Sequence, residues 1–225
     1  MEPGQRLPSE PALAEKLGVS RATLREAMRI FETQGMIRRK QGSGTYITRA
    51  TNVFETGLEI LESLETQAER IGLQVSLGDY KLEHRTATEE ECQALSLTGG
   101  CEVTAVTRVI HAEDRPVAYL IDVLPADVLG QEELEREFTG SVLDMLLRRG
   151  SPHLTSSRTE INAVTASATV ARAMGIQRGD VLLRFIAYLY ADSGRVVDYS
   201  YSYFLPGYFR FHVMRRIGPS TAGSR

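Results

Sequence analysis

The sequence predicts an α+β fold made of two units, a small helical unit with a hairpin and a larger unit with a mainly antiparallel sheet. Apolar residues keep helical spacing near the N-terminus, whereas beyond residue 103 they alternate in runs rich in Val, Ile, Thr and Tyr. Charge divides in the same way: residues 1–50 hold 9 of the 26 Lys and Arg but only 5 of the 29 Asp and Glu. The composition, 42% hydrophobic and 24% charged, excludes disordered and collagen-like chains.

The first unit begins with two predicted helices. Ser9 is an N-cap and Pro11 fits a first turn, so a helix should run to Leu17. Gly18 permits a left-handed turn, and Ser20 is a second N-cap for a helix from Arg21 to Gln34 that ends at Gly35. Two helices joined by a tight turn form a helix-turn-helix, whose second helix enters the major groove of DNA.

Basic residues lie along the second helix and along the segment after it. Arg21, Arg25 and Arg29 are four residues apart and form one stripe, which could bind phosphates or be a solvated face that pairs with Glu26 or Glu32. Residues 36–40 and 45–48 read as two strands around a glycine turn, with a basic end at Arg38, Arg39 and Lys40. A basic hairpin after a helix-turn-helix is a wing, and this favours double-stranded DNA as a partner.

The same residues resemble the GntR-type bacterial transcription regulators over about forty positions. The matching stretches are Leu7-Pro8-Ser9-Glu10, Leu13-Ala14, Gly18-Val19-Ser20-Arg21-Ala22-Thr23-Leu24-Arg25-Glu26-Ala27, Gly35 and Gln41-Gly42-Ser43-Gly44-Thr45. The resemblance implies that Arg21 and Arg25 approach bases or phosphates, that Thr23 contacts the backbone and that Gly42 reaches the minor groove. The predicted DNA-binding set is Ser20, Arg21, Thr23, Arg25, Arg29, Arg38, Arg39, Lys40 and Gly42.

Two positions depart from the GntR pattern. Members commonly have Arg where this chain has Pro11, so operator preference should differ. Members also begin with a further helix, but only six residues precede Leu7. We therefore expect the first helix to be missing from the unit at 1–49, leaving Leu13, Leu17, Leu24 and Phe31 partly exposed and weakening DNA binding by this form.

The larger unit begins, after a linker at 50–54, with a predicted amphipathic helix from Phe54 to Ile71. Helices are also predicted at Leu134–Arg149 and Ala166–Met174, with stops at Gly150 and Gly175. The predicted strands are Val103–His111, Val117–Leu124, Thr155–Val164, Val181–Tyr190 and Val196–Leu205. Hairpin turns are predicted at Glu113-Asp114-Arg115 and Asp192-Ser193-Gly194.

Scattered residues of this unit resemble the effector-binding (UTRA) domain of the HutC subgroup of the same family. They are Arg108, residues 112–119, Leu124-Pro125, residues 161–166, Arg178-Gly179-Asp180, Tyr190 and residues 194–199. The resemblance implies a chorismate-lyase-like fold over 55–217 and a small-molecule site between the sheet and its helices. Residues 218–225 are expected to form a flexible tail.

Candidate effector contacts come from this resemblance and from strand alternation. Sugar-phosphate-responsive members tend to have Arg and Glu where this chain has Ile110 and Leu120, so only Arg108 remains, and we expect a ligand with one anionic group and an apolar body rather than a phosphosugar. The predicted pocket set is Arg108, Tyr119, Arg158, Glu160, Asp198, Ser200, Ser202 and Phe204. Arg158 and Glu160 could instead pair with each other, and Tyr199, Tyr201 and Tyr203 favour core or dimer surface.

The sequence therefore predicts a ligand-responsive repressor that binds a palindromic operator as a homodimer. The alternatives are an enzyme of the lyase-like fold, for which no nucleophile with a base or phosphate loop is present, and a regulator with an all-helical, metal-holding domain, against which the strands argue. We expect no metal or cofactor, because the four His are scattered, and free thiols at Cys92 and Cys101. Short apolar runs and the lack of a leader predict a cytoplasmic protein.

Overall fold

A computed structural model describes residues 4–33, 35–40, 43–47, 54–112 and 114–215 of the chain. The predicted α+β class is confirmed, with a helix-turn-helix and hairpin followed by a six-stranded antiparallel sheet. The predicted linker at 50–54 falls outside the described residues up to position 53, and the predicted tail at 218–225 falls wholly outside them. The exact domain boundaries stay a prediction.

The N-terminal unit forms the elements that its local signals predict. They are α1 (Glu10–Leu17), α2 (Arg21–Thr33), β1 (Ile37–Lys40) and β2 (Gly44–Ile47). Ser9 accepts a hydrogen bond from the Ala12 backbone at the start of α1, and Gly18 ends that helix in the left-handed region with φ 67°. The Ser20 hydroxyl then caps α2 by accepting from the Thr23 backbone at 3.0 Å.

A small core holds this unit together. Its buried members are Ala14, Leu24, Met28 and Ile37. The expectation that Leu24 is exposed is wrong, because this side chain is 4% exposed between the two helices and the hairpin. Leu17 and Phe31, by contrast, are 58% and 44% exposed. Residues 4–7 lie along β2, where backbone bonds join Gly4 and Ile47 and join Leu7 and Thr45.

The larger unit is built on a sheet with the strand order β4-β5-β6-β9-β8-β7. Its strands are β4 (Val75–Thr86), β5 (Glu102–Ala112), β6 (Arg115–Pro125), β7 (Leu154–Thr165), β8 (Val181–Ala191) and β9 (Val196–Phe204). A separate parallel pair joins β3 (Phe54–Gly57) to β10 (Phe209–His212). The helices are α3 (Leu64–Arg70), α4 (Glu89–Leu95), α5 (Gln131–Glu137), α6 (Val142–Arg149) and α7 (Ala168–Met174).

Two predicted helices are wrong in extent. The helix from Phe54 to Ile71 is instead β3 and α3, because the first residues pair with β10 and Ser63 starts a new helix by accepting from the Thr66 backbone. The helix at Leu134–Arg149 is divided into α5 and α6. Gly140, with φ 122°, breaks it, and Ser141 caps the second part. β4, α4 and β10 have no counterpart among the predicted elements; β4 has polar residues on both faces and therefore lacks a clear apolar period.

The predicted turns and helix stops agree with the structure where it describes them. Gly150 and Gly175 end their helices in the left-handed region, and Gly194 turns the β8–β9 hairpin with φ 78°. Asp114 has φ 63° in the other hairpin, while its neighbour Glu113 lies outside the described residues. Within the described ranges, no helix is long and apolar enough to span a membrane.

The sheet separates two apolar layers that place the candidate site. On one face α6 packs over β5, β6 and β9 through Leu146, Val106 and Val197. On the other face α4 contributes Leu95, which packs with Val103 and Tyr199. Because neighbouring residues of a strand point to opposite faces, a change of one position decides which layer a side chain enters.

Candidate DNA-binding surface and ligand cavity

The start of α2 presents two of the predicted arginines to solvent. Arg21 is exposed in the first turn, and the Arg25 side chain remains 66% exposed although its Nε lies 3.1 Å from Glu10 Oε2. An exposed ion pair of this kind is weak and exchanges readily with water. Both guanidinium groups are therefore accessible to a polyanion, and their contact with DNA stays a prediction.

The hydroxyls of Ser20 and Thr23 serve the same helix start. Ser20 Oγ lies 2.8 Å from Thr23 Oγ1 in addition to capping the Thr23 backbone. Both residues are exposed. This pair of hydroxyls fixes the first turn of α2. The fixed turn sets the direction of the Arg21 side chain, and therefore any contact that this side chain makes with a base or a phosphate.

Arg29 differs from the other members of the predicted stripe. Its Nη2 lies 2.5 Å from Glu26 Oε1, so the alternative of pairing along the helix is realised here. Its Nη1 also forms an ion pair with Asp180, which belongs to the larger unit and whose side chain is 3% exposed. Arg29 therefore links α2 to the larger unit, and the stripe is not uniformly open to DNA.

The wing carries the remaining predicted DNA contacts. β1 and β2 pair antiparallel, with Arg38 opposite Tyr46 and Lys40 opposite Gly44. Arg39 Nε lies 3.5 Å from Glu32 Oε2, and the guanidinium of Arg39 remains partly exposed. The predicted minor-groove contact Gly42 lies outside the described residues.

A cavity of about 790 Å³ lies between one face of the large sheet and two separate segments, residues 56–67, which lead into α3, and residues 141–147, which begin α6. Five of the predicted pocket residues line it: Arg108, Asp198, Ser200, Ser202 and Phe204. Alternation along β9 places its four members on one side, as the sequence predicts. The structure thus brings these residues together, and their role in binding an effector stays a prediction.

The floor of the cavity contains a buried ion pair. Arg108 Nη1 binds Asp122 Oδ2, and the two residues are only 6% and 8% exposed. Asp122 is not among the residues that the sequence predicts for the pocket. In the register of β5 and β6, Arg108 lies opposite Leu120, so a residue two positions further faces the same cavity. That alternation is the signal in the sequence that could have identified Asp122.

Asp198 lies beside this ion pair and is itself 6% exposed. Burial raises the pKa of Asp198 well above its ordinary value, and the negative charge of Asp122 raises it further, whereas Arg108 opposes the shift. Burial likewise raises the pKa of Glu65, on α3. Glu65 and its neighbour Gln67 are absent from the predicted pocket because the local apolar period indicates one long helix through this segment.

Three predicted pocket residues do not reach the cavity. Odd-numbered residues of β7 such as Thr159 line it, so Arg158 and Glu160 lie on the opposite face. There Arg158 Nη2 binds Glu160 Oε1 at 2.5 Å, which is the alternative that the sequence left open. Tyr119 also alternates away from the cavity and lies against Tyr203, with ring centroids 6.2 Å apart.

The opposite face of the sheet carries Tyr199 and Tyr201 and a more open depression of about 930 Å³ that Arg158 helps to line. Tyr199 is buried, and the hydroxyls of Tyr199 and Tyr201 both donate to Glu90 Oε1 of α4. Burial raises the pKa of Tyr199 to about 12. These contacts agree with a core role for Tyr199.

Two family comparisons cover most of the chain. Residues 1–47 match the family described as bacterial regulatory proteins, gntR family. Residues 72–210 match the UTRA domain.

Curated relatives match between 80% and 98% of the chain. The HTH-type transcriptional repressor NagR of Bacillus subtilis is 28% identical over 96% of this chain and 88% of its own length. The HTH-type transcriptional regulator Rv0792c of Mycobacterium tuberculosis is 30% identical over 98% of this chain and 82% of its own length. The histidine utilization repressor of Pseudomonas putida is 26% identical over 80% of this chain and 71% of its own length. These relatives are regulators, and the enzyme alternative finds no support among them.

Solved structures share the fold. PhnF from Mycobacterium smegmatis aligns with a TM-score of 0.67 at 22% identity, over 97% of this chain and 95% of that chain. The separate effector domain of PhnF aligns with a TM-score of 0.62 at 18% identity, over 72% of this chain and 99% of that chain. The first confirms the predicted two-unit fold, and the second confirms the fold of the larger unit alone.

Proposed function

Because the chain belongs to the gntR family of bacterial regulatory proteins and carries a UTRA domain, we propose that it is a homodimeric repressor that leaves a palindromic operator when an effector fills the cavity. The family assignment makes the chain a transcriptional regulator that binds DNA and a small molecule. The observation that carries the finer proposal is the pairing of an exposed basic helix start, at Arg21 and Arg25, with a separate cavity lined by Arg108 and Asp198.

Dimerisation follows from how a winged helix reads DNA. One recognition helix reaches only a half-site, and two helices fixed in one dimer gain affinity through effective concentration. A twofold dimer matches a palindrome with half-sites one or more helical turns apart. Since its operator is chromosomal DNA, such a repressor acts in the cytoplasm.

We assign the DNA contacts to the start of α2 and to the wing. Arg21 and Arg25 read base edges or phosphates, with Ser20 and Thr23 holding the turn. The wing residues contact phosphates beside the major groove. The members of the wing set are Arg38, Arg39, Lys40 and Gly42.

We assign the effector to the cavity and the signal to the connection between the units. Arg108, Asp198, Ser200, Ser202 and Phe204 provide the binding contacts. The ion pair of Arg29 with Asp180 and the chain at 50–54 link the cavity-bearing unit to α2. An effector shifts the equilibrium only through its different affinity for the DNA-bound and released states.

The experiment is a footprint on the DNA flanking the gene, combined with light scattering of the purified chain. A dimer mass and a protected palindrome support the proposal. Arg21→Ala should shift the footprint to about 5- to 150-fold higher protein concentration, whereas Arg136→Ala, which removes an exposed arginine of α5, should leave that concentration unchanged. A monomer that protects a single unpaired half-site would refute the dimeric repressor.

A further inference from the structure

The charged wall of the cavity is unbalanced. Among the described residues, five carboxylates line it and only one guanidinium, that of Arg108, so most of its formal charge is negative. Two carboxylates near the mouth already have partners: Glu62 pairs with Arg70 at 3.0 Å, and Glu59 accepts a hydrogen bond from the Met214 backbone. The other three, on the inner wall, are Glu65, Asp122 and Asp198.

Most of the buried polar atoms of the inner wall that lack a hydrogen-bond partner among the described residues are acceptors. Glu65 Oε1, Gln67 Oε1 and Asp198 Oδ1 are buried without a partner among the described residues. Gln67 donates its amide nitrogen to the Glu62 carbonyl at 3.1 Å, which orients its oxygen as the open end. In the part of this wall that the structure describes, the single unmatched donor is Arg108 Nε. Buried acceptors without partners are costly, and a ligand that supplies N–H groups removes this cost.

An anionic ligand does not suit this arrangement. Asp122 already occupies one end of the Arg108 guanidinium, so an anion would compete for it. It would also lie close to Glu65 and Asp198 in a poorly solvated site, where an anion could approach only while both carboxyls hold their protons. A phosphate group needs several fixed charged donors, and Arg108 is the single cationic side chain that lines the described part of this cavity.

We propose that the cavity selects a small organic cation, in which a protonated nitrogen donates to Asp198, Glu65 and Gln67 and an apolar body packs against the phenylalanines of the wall. This inference rests on the proposed function, since it names the class of effector for that site. The phenylalanines are Phe185, Phe204 and Phe211. A positive charge beside Asp198 would offset both the burial and the Asp122 charge that raise the pKa of Asp198.

A cationic group is expected here in place of the anionic group that Arg108 alone predicts. The prediction of an anionic group did not include Asp122, which neutralises Arg108, or Glu65. The apolar body of the expected ligand is kept, because aromatic and aliphatic side chains, among them Phe185, Leu120 and Leu189, line much of the remaining wall beside Ser and Thr hydroxyls.

The test compares matched probes on the full chain without DNA. Benzylamine and phenethylamine are the cations, benzoate and phenylacetate are the matched anions, and glucose 6-phosphate represents phosphosugars. Binding to the folded state raises the Tm. We expect both amines to raise the Tm and the three anions to leave it unchanged. The proposal is overturned if any anion raises the Tm more than the amines do, or if neither amine raises the Tm.

Variants locate the binding. Asp198→Asn and Glu65→Gln each keep shape while removing a charge, and each should weaken amine binding by about 10- to 150-fold in calorimetry, the range for a hydrogen bond to a charged group. The controls are Asp127→Asn and Glu137→Gln, which change exposed carboxylates paired with Arg195 and Arg136. Amine affinity unchanged in both cavity variants would remove the amine from this site and overturn the proposal.

Failure of this inference can be told apart from failure of the proposed function. A chain that protects a palindrome and is released by an anion keeps the repressor role and loses the cation site. A chain that binds the amines through Asp198 but protects no DNA keeps the site and loses the repressor role.

Discussion

The basic face of the N-terminal unit and the cavity of the larger unit both depend on charged side chains, but these side chains differ in their exposure to solvent. The Arg25 side chain is 66% exposed and its contact with Glu10 is a surface pair, whereas the Arg108 side chain is 7% exposed and bound to Asp122. An exposed arginine can exchange its carboxylate partner for a DNA phosphate at little cost in free energy. Buried charges stay fixed to one another, so they contribute to folding and to pKa values as well as to binding.

The largest expected effect tests the buried pair. Arg108→Met leaves Asp122 as an unpaired buried charge and should lower the free energy of unfolding by about 3 to 5 kcal/mol. Urea denaturation at neutral pH measures this decrease. The double variant with Asp122→Leu should recover most of it, since removing both charges also removes the desolvation cost. If Arg108→Met alone is as stable as the parent, the buried pair contributes no more to stability than an exposed pair, and the difference between the two regions is contradicted.

The next effect belongs to the exposed set. Arg21→Ala should cost about 1 to 3 kcal/mol of operator affinity and relax specificity at one base position. Its free energy of unfolding should not change, because the side chain is exposed. Fluorescence anisotropy with operator and with single-base variants measures both quantities, and Arg136→Ala is the control. Unchanged operator affinity would show that Arg21 does not contact DNA.

The third prediction concerns how the buried Asp198 makes the stability of the protein depend on pH. Because the pKa of Asp198 is raised in the folded chain, the folded state holds its proton more tightly than the unfolded chain. The resulting stability is full below the ordinary Asp value of 3.8 and is lost as the pH rises through the folded value. Each tenfold difference in proton affinity contributes about 1.4 kcal/mol.

Asp198→Asn should therefore lack this decline. Urea denaturation at a series of pH values should show the parent losing stability relative to the variant as the pH rises. Asp127→Asn is the opposite control, because Arg195 lowers the pKa of Asp127, and its contribution is lost as the pH falls. Parallel curves for the parent and Asp198→Asn would mean that Asp198 has an ordinary pKa.

The smallest effect concerns the wing. Replacing Arg38, Arg39 or Lys40 by Ala should weaken binding to all DNA sequences alike and reduce the salt slope of binding by roughly 1 for each phosphate that the side chain neutralises in the parent. Arg39 should change least, since Glu32 and Glu10 already share its charge. Anisotropy titrations at several salt concentrations give the slope. A full slope after removal of all three would exclude the wing from phosphate binding.

The N-terminal unit could be predicted almost completely because its signals are local. Ser9, Gly18 and Ser20 each act within a few residues, and the structure keeps the caps and the turn that they specify. What the sequence could not show is the ion pair of Arg29 with Asp180, because these residues are distant in the chain and no local signal in either segment pairs them.

The cavity could be predicted only in part because it depends on strand register. Alternation along β9 correctly grouped Asp198 with Ser200 and Ser202. The choice of face on β7 had no local signal, and Arg158 was assigned to the wrong side. Glu65 is not grouped with the β9 residues because it lies on a helix, and a local helical period does not show which strands of the sheet the helix covers.

The coupling between the two regions is tested most directly by one pair of titrations on the parent chain. Operator affinity is measured with and without a saturating concentration of the small molecule that raises the Tm most, and the affinity for that molecule is measured with and without operator. We predict that operator affinity falls by about 5- to 150-fold and that the reciprocal titration shows an equal decrease. A ligand that fills the cavity and leaves operator affinity unchanged would contradict the account.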